Sequence, residues 1–210
     1  ETTIPLNSII SSSVAFKSSK LSEILDVLRS SVISSENSNF EYSFIFDDSK
    51  YTLALGGLHS DNPPKIYTQS ADYQILDFDF GSYYPSLMIN LNVEPPQLKN
   101  VLLDIIKQIT QERLEAKSSG DKVKADTLKI VINSIYGKLG FEYGYLYSPK
   151  SMYQVTINGQ LYLLMLIERL SEVGIKCFYA NTDGITCLVP KDKLDLYYEI
   201  CNTFSKEINI

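Results

Sequence analysis

Asp77-Phe78-Asp79-Phe80-Gly81-Ser82-Tyr83-Tyr84-Pro85-Ser86 alternates acid with aromatic and then breaks off. A period of two is that of a β-strand, so Asp77 and Asp79 lie on one face and Phe78 and Phe80 on the other. The apolar alternation reaches back to about Tyr73, while Gly81 and Pro85 forbid the strand to continue. The sequence therefore predicts a strand over about 73–80 that carries two carboxylates on one side. Adjacent carboxylates repel unless a cation lies between them or one takes a proton. Taken alone, a merely solvated strand face accounts for the pair as well.

Downstream the period becomes helical. After Pro95-Pro96, Val101, Leu102, Ile105, Ile106 and Ile109 form an apolar stripe that Ser118-Ser119-Gly120 interrupts. A second helix follows from about Lys122 to Tyr136, closed by Gly137, so the two predict an antiparallel helical hairpin. Tyr143, Tyr145 and Tyr147 alternate as a short strand. A helix over about Ile157–Val173 is apolar nearly all round and hence buried. A β-hairpin spans Lys176 to Val189, turning near Asn181 to Gly184, and a helix over about Asp192–Lys206 closes the chain.

Upstream, the first third is rich in serine: Ser11 to Ser13, Ser18, Ser19, Ser30, Ser31, Ser34 and Ser35. It holds one amphipathic helix with Leu21, Ile24, Leu25 and Leu28 at i, i+3, i+4 and i+7, capped by Ser19 or Ser22. Phe40 to Phe46 and Tyr51 to Leu55 read as a hairpin turning over Asp47-Asp48-Ser49-Lys50, and Gly56-Gly57 and Asn62-Pro63-Pro64 as loop. The order of elements predicts an α+β fold with helices on one face of a sheet.

At 210 residues the chain is long enough for a real core, and 44% hydrophobic with 21% charged residues excludes disorder, collagen and coiled coil. No apolar run reaches the roughly 18–20 residues of a membrane helix, and no signal segment leads the chain. It opens at Glu1 without a Met, which reads as a processed chain or a piece of a longer one. Cys177, Cys187 and Cys201 are an odd count without a CxxC pair, against a disulfide framework or zinc site and in keeping with a reducing compartment. With His59 as the single histidine, chemistry falls to carboxylates, Lys/Arg and tyrosines. The net charge is −6, yet residues 98–150 hold nine Lys/Arg against six Asp/Glu, so the acidic excess lies elsewhere. A basic helical insert in an acidic body suits phosphate at one place and cations at another, although a solvated surface accounts for a modest excess too.

Two further segments can carry chemistry. Tyr179-Ala180-Asn181-Thr182-Asp183-Gly184 is the tip of the late hairpin, and its residue types are also ordinary turn formers. Lys129, Asn133 and Tyr136 stand at i, i+4 and i+7 on the second helix, and Arg113 and Lys117 at i, i+4 on the first; each is also readable as a solvated face. In joint order, carboxylate strand, basic helix pair and carboxylate hairpin are the parts that two-metal phosphoryl transfer requires.

These segments resemble three motifs of family B DNA polymerases. The first, Asp-x-x-Ser-Leu-Tyr-Pro-Ser, is matched from Asp79 to Ser86 with Tyr83 in place of Leu. The second, Lys-x-x-x-Asn-Ser-x-Tyr-Gly, is matched in full from Lys129 to Gly137. The third, Tyr-x-Asp-Thr-Asp-Ser, is matched by Tyr179 to Gly184 with Asn181 for the first Asp and Gly184 for Ser. The Arg-x-x-x-Lys pair of the family looks like Arg113 and Lys117. A Thr-x-x-Gly-Arg element appears as Thr156, Gly159 and then Gln160, without the Arg. The resemblance covers about residues 70–210. Gly56-Gly57-Leu58-His59 is similar to phage-encoded members.

The resemblance implies a palm, an antiparallel sheet backed by helices, with a two-helix antiparallel fingers insertion. Residues 71–97 and 141–210 would be palm, 98–140 fingers, and 1–70 a segment of unassigned role. It implies a DNA-directed DNA polymerase adding deoxynucleotides to a primer 3′-end. Asp79 and Asp183 would be the catalytic carboxylates holding two Mg²⁺ ions, Mn²⁺ being a possible substitute, with the Phe80 carbonyl as a further ligand and Asp77 and Asn181 as auxiliaries. Arg113, Lys117 and Lys129 would neutralise the triphosphate. Tyr84 would exclude a 2′-hydroxyl, supported by Asn133, and Tyr136 would pack beside the nascent base pair. Thr156 and Gly159 would approach a DNA backbone phosphate, with the missing Arg weakening that grip. Partners would be primer–template DNA and dNTPs, in an intracellular setting such as the cytoplasm or nucleoid of a host cell, with no membrane. An exonuclease segment, the Lys-Lys-x-Tyr element and a thumb are not found, so another chain or further residues would supply them. The alternative is a catalytically silent polymerase-like module that binds nucleic acid or a partner, which Asn181, Gly184 and Gln160 favour. An RNA-making enzyme is disfavoured by Tyr84 and by the helix from Lys129 to Gly137.

Overall fold

The structure, a computed structural model, describes residues 3–34, 40–99 and 101–210; of the serine-rich stretch, Ser35 lies outside them. The chain forms two compact units, one of Glu1–Phe80 with Thr156–Ile210 and one of Gly81–Val155.

The first unit is built on a six-stranded antiparallel sheet. Its strands are β3 (Glu41–Phe46), β4 (Ser49–Ala54), β5 (Gly57–Ser60), β6 (Tyr73–Asp79), β7 (Lys176–Asn181) and β8 (Gly184–Pro190), in the spatial order β3-β4-β5-β7-β8-β6. Residues 41–60, to which the sequence gives no role, thus continue the sheet that bears the carboxylates. A separate two-stranded ladder joins β1 (Thr3–Pro5) to β2 (Val32–Ser34), with α1 (Ser19–Arg29) between them. The cap of α1 is Ser18, whose hydroxyl accepts from Leu21 N, one residue before Ser19, the nearer of the two expected caps. Its buried stripe is the expected one, Leu21, Ile24, Leu25 and Leu28.

Two turns differ from the sequence reading. The β3–β4 turn uses only Asp47 and Asp48, both left-handed at φ 49° and 58°, the geometry that two-residue hairpins favour and Asp tolerates. Ser49 and Lys50 therefore pair as strand rather than turn. Gly57 likewise opens β5 instead of lying in a loop.

One sheet face is closed. Tyr51, Leu53, Leu58, Phe80, Ile185 and Cys187 are all buried there. The third cysteine, Cys201, belongs to α6 (Leu194–Glu207), which covers this face; Phe204 of α6 lies 6.2 Å from Phe80. All three cysteines are free and buried, and burial pushes the Cys201 thiol up to about 12. The long helix α5 (Pro149–Glu172) is buried almost throughout its part in this unit. It begins at Pro149, not near Ile157, because Pro suits the first helical position, where no N–H is needed. Its buried polar groups bind other parts of the unit. Glu168 accepts from Lys17 N and Ser18 N, Asn158 holds Ile9 O and Ser11 N, and Gln160 holds both N and O of Ala54.

The second unit contains α2 (Tyr83–Asn90), α3 (Val101–Ser118) and α4 (Lys122–Lys138). The α3–α4 pair is the expected antiparallel hairpin, turning at Gly120 with φ 79° and capped by Asp121, which accepts from Lys124 N. The apolar stripe of α3 differs: Leu102, Leu103 and Ile106 are buried, whereas Val101 and Ile105 are exposed. α2 and α4 cover the former side. The sequence reading missed α2 by taking Pro85 as a breaker. Pro85 is its third residue, within the first turn, where the absent N–H costs no helical bond. The expected strand of Tyr143, Tyr145 and Tyr147 is not formed. Gly144 N bonds Phe141 O and Tyr147 N bonds Gly144 O, giving successive turns with the tyrosines exposed. No partner strand lies in this unit among the described residues, and an unpaired strand has no ladder to hold it.

Candidate active site

Register decides what the first unit brings together. β6 and β8 pair over seven positions, from Tyr73 with Pro190 to Asp79 with Gly184. Beyond that ladder, Phe80 N donates to Asp183 O at 2.9 Å. Asp79 and Asp183, 104 positions apart in sequence, are thereby tied through consecutive backbone bonds. The β7–β8 tip is tight: Asp183 N bonds Asn181 O at 2.7 Å, and Thr182 N bonds Leu58 O of β5 at 2.8 Å. Thr182 is held at φ 56°, a costly conformation for a β-branched residue.

Asp77, Asp79 and Asp183 line one open cleft of about 340 Å³ with Tyr179, Asn181, Gly184, Ile185 and Thr186. No Lys or Arg is among its described lining residues. Thr186 Oγ1 donates to Asp77 Oδ1 at 2.6 Å, which orients that carboxylate. Asn181 Oδ1 accepts from Thr182 Oγ1 at 3.0 Å, and its Nδ2 donates to the Tyr179 hydroxyl at 3.2 Å. The absence of a side chain at Gly184 matters here. A Cβ at that position would run into the Asp79 carboxylate and come within 3.2 Å of Phe78 O. Phe80 is itself buried, its ring turned away to the closed face.

The donor set fits a hard divalent cation such as Mg²⁺, which takes carboxylate and carbonyl oxygens. Three carboxylates on one cleft concentrate negative charge, which such an ion would relieve. Among the described residues, no three His, Cys, Asp or Glu side chains converge as a ready cage, so the fit rests on donor chemistry and shared cleft.

In the second unit, Arg113 Nη1 donates to Ser82 Oγ at 2.6 Å, while Arg113 Nε is buried without a partner. Ser82, at φ 51°, precedes α2. A second cavity of about 270 Å³ is lined by Arg113, Lys117, Gly120, Lys122, Ala125 and Asp126. Lys129 and Asn133 are exposed on α4 outside this lining. Tyr136 meets Tyr84 of α2, their ring centroids 4.2 Å apart.

Thr156 and Gly159 are placed differently from the expectation. Both are buried in α5 and offer no surface to a backbone phosphate. Gln160, where an Arg was looked for, is 1% exposed and committed to Ala54, so its role in this chain is internal. Sequence reasoning also missed Ser82 and Thr186 as partners of Arg113 and Asp77. For Thr186 the signal was present, since the β8 register sets it opposite Asp77.

Comparison with known proteins completes these observations. The profile of DNA polymerase family B matches residues 103–210. The chain is 27% identical over 169 residues to a DNA polymerase of Thermococcus sp. (strain 9oN-7), covering 64% of this chain and 22% of that one. It is 25% identical over 153 residues to DNA polymerase II of Escherichia coli (strain K12), covering 61% and 19%. To the DNA polymerase alpha catalytic subunit of Xenopus laevis it is 25% identical over 175 residues, covering 66% and 12%. The chain thus spans about a fifth or less of the length of these relatives. Its fold is similar to part of the family B DNA polymerase of Pyrobaculum calidifontis, with a TM-score of 0.53 at 17% identity, over 73% of this chain and 26% of that one.

Proposed function

Because the chain belongs to DNA polymerase family B, we propose that it provides the nucleotidyl-transfer centre of a DNA-directed DNA polymerase, with the sheet as palm and the α3–α4 pair as fingers. The observation that supports this most is that Asp77, Asp79 and Asp183, from two distant stretches of sequence, line one cleft.

Asp79 and Asp183 would hold Mg²⁺ with the Phe80 carbonyl, Asp77 adding negative charge and Asn181 an uncharged oxygen. Bound there, divalent ions supply activation of the primer 3′-hydroxyl and charge relief for the departing pyrophosphate. The residues of the chain do the rest. The backbone bond from Phe80 to Asp183 keeps the two carboxylates in fixed register, so little reorganisation is needed at reaction. Arg113, Lys117 and Lys129 neutralise the triphosphate of the incoming dNTP, each charge-assisted contact being worth about 1.5–3 kcal/mol. Tyr84, backed by Tyr136, closes the space that a ribose 2′-hydroxyl would need, which selects deoxynucleotides by exclusion. Asn133 acts as a support for that ring.

Primer extension with Mg²⁺ and dNTPs tests the proposal. The chain, in the protein that carries it, should extend a primer, and Asp183→Asn should reduce extension by a factor of about 100 or more. Equal extension by Asp183→Asn removes the assignment of the carboxylates. The second reading, a catalytically silent module, draws on Asn181, whose amide replaces a carboxylate of the family motif. It would stand if DNA is bound and no extension occurs with either Mg²⁺ or Mn²⁺.

A further inference from the structure

We propose that Cys177 and Cys187 are an oxidative modification site, at which a peroxide joins the two sulfurs as a disulfide that staples β7 to β8 behind the carboxylate hairpin. The inference goes beyond the proposed function and does not rest on it.

The two thiols meet because β7 is irregular. Cys177, Tyr179 and Asn181 stand at alternate positions, so a regular strand would send all three to one face. Tyr179 and Asn181 line the cleft, whereas Cys177 is 2% exposed in the core. The register shifts between them. Cys177 pairs with Cys187 and Tyr179 with Thr186, which leaves Phe178 as the extra residue of a bulge. That bulge turns Cys177 inward, directly opposite Cys187, and their sulfurs come to 2.9 Å. Directly paired antiparallel residues have Cα atoms about 4.5 or 5.5 Å apart, both inside the roughly 4.4–6.8 Å that a disulfide spans. The sulfurs then need to close by only about 0.9 Å, to the usual ~2.05 Å. Cys201, the third thiol, belongs to α6, so no ladder sets it opposite either of them.

The reaction balances with peroxide alone. One sulfur, as thiolate, attacks a peroxide oxygen, breaks the O–O bond and becomes a sulfenic acid as water leaves. The second thiol attacks that sulfur, forms the S–S bond and gives up its proton, and the sulfenic oxygen departs as a second water. Two thiols thus lose two electrons, and hydrogen peroxide becomes two waters. At rest the pair stays reduced, because the Cys177 sulfur beside it and burial push the Cys187 thiol up. α6 covers this face, so oxidant enters only in moments of local opening. A bridge made on exposure to oxidant and undone by thiols is the form that disulfides take in reducing compartments. The loop it closes contains Asn181, Thr182 and Asp183. The bridge therefore holds the hairpin against unfolding without touching its tip.

The test treats the full chain with hydrogen peroxide, then alkylates free thiols and digests with trypsin. Lys176 and Lys191 bracket both cysteines in one peptide, and Cys201 falls in another. The peptide from Cys177 to Lys191 should appear unalkylated and lighter by two hydrogen atoms than its reduced form, with Cys201 alkylated. Dithiothreitol should restore the reduced mass. The oxidised protein should melt about 5–10 °C higher, as a closed loop of about ten residues implies. Cys177→Ala should show neither change and Cys201→Ala both, and the peptide map of the parent decides alone if a variant does not fold. Alkylation of both cysteines, sulfinic acid in place of the bridge, a bridge to Cys201 or between two molecules, or an oxidised protein that melts no higher overturns the staple.

Discussion

Gln160→Ala should destabilise the protein far more than a polar-to-alanine change on a surface. Gln160 Oε1 accepts from Ala54 N at 3.0 Å, and Nε2 donates to Ala54 O at 2.9 Å and Thr156 O at 3.2 Å, all around a side chain 1% exposed. The variant leaves an N–H and a C=O at the end of β4 without this partner. Each unsatisfied buried group costs about 1–3 kcal/mol. Ala54 is only half-buried, so water recovers part, and a loss of about 2–4 kcal/mol remains. For a chain of this length that lowers Tm by roughly 4–16 °C, at about 2–4 °C per kcal/mol. Circular dichroism melts of both proteins measure it. Gln160→Arg, which restores the residue of the family element, should be at least as damaging, because it buries a guanidinium that finds no carboxylate at Ala54. It should add nothing to DNA affinity. A Gln160→Ala melt within 1 °C of the parent, or a Gln160→Arg protein that is equally stable and binds DNA more tightly, would refute the reasoning.

Gly184→Ser adds a Cβ where the Asp79 carboxylate now rests, so it should weaken Mn²⁺ binding severalfold, read by electron paramagnetic resonance of the free ion. Unaltered affinity means that Asp79 has another productive orientation. Tyr84→Ala removes the ring packed on Tyr136 and should raise ribonucleotide incorporation at least tenfold in single-turnover extension; unchanged discrimination assigns the sugar gate elsewhere. Burial holds the Cys201 thiol up at about 12, above the roughly 8.5 of an unfolded cysteine. The neutral buried form therefore contributes its full stability below pH ~8.5, and that stability is lost as pH rises through this interval. Urea melts should show Cys201→Ala less alkali-sensitive than the parent, and an equal slope of stability with pH for both would contradict this.

Much of the arrangement was legible because it is local. The α3–α4 hairpin follows from apolar period and the Gly120 break, and the carboxylate hairpin from turn residues between apolar strands. The alternation from Asp77 to Phe80 gave both faces of β6 correctly. The misses are of another kind. α2 was hidden because a proline in a first turn looks like a breaker until the helix is known to begin at Tyr83. The tyrosine strand was drawn from alternation alone, and alternation supplies no partner. Gln160 looked like a lost phosphate ligand because burial of α5 says which side chains are inside but not what each one holds. Nor does sequence order reveal that β5 sits beside β7, which is what aligns His59 with Asn181. Such long-range register is set by the whole sheet and has no local signature.

The place of β6 in the sheet has a consequence for how the protein is made. Among the described residues its one strand neighbour is β8, so the segment ending at Asp79 leaves the ribosome about a hundred residues before Gly184 can meet it. At roughly 5–20 residues per second the wait is on the order of ten seconds. Throughout that interval the segment lacks its ladder, and its backbone N–H and C=O groups are open to any other nascent chain. Alternate charges are among the means by which proteins keep such edges from mispairing. Asp77 and Asp79 would then serve twice, guarding the unfinished strand during synthesis before any nucleotide reaches them.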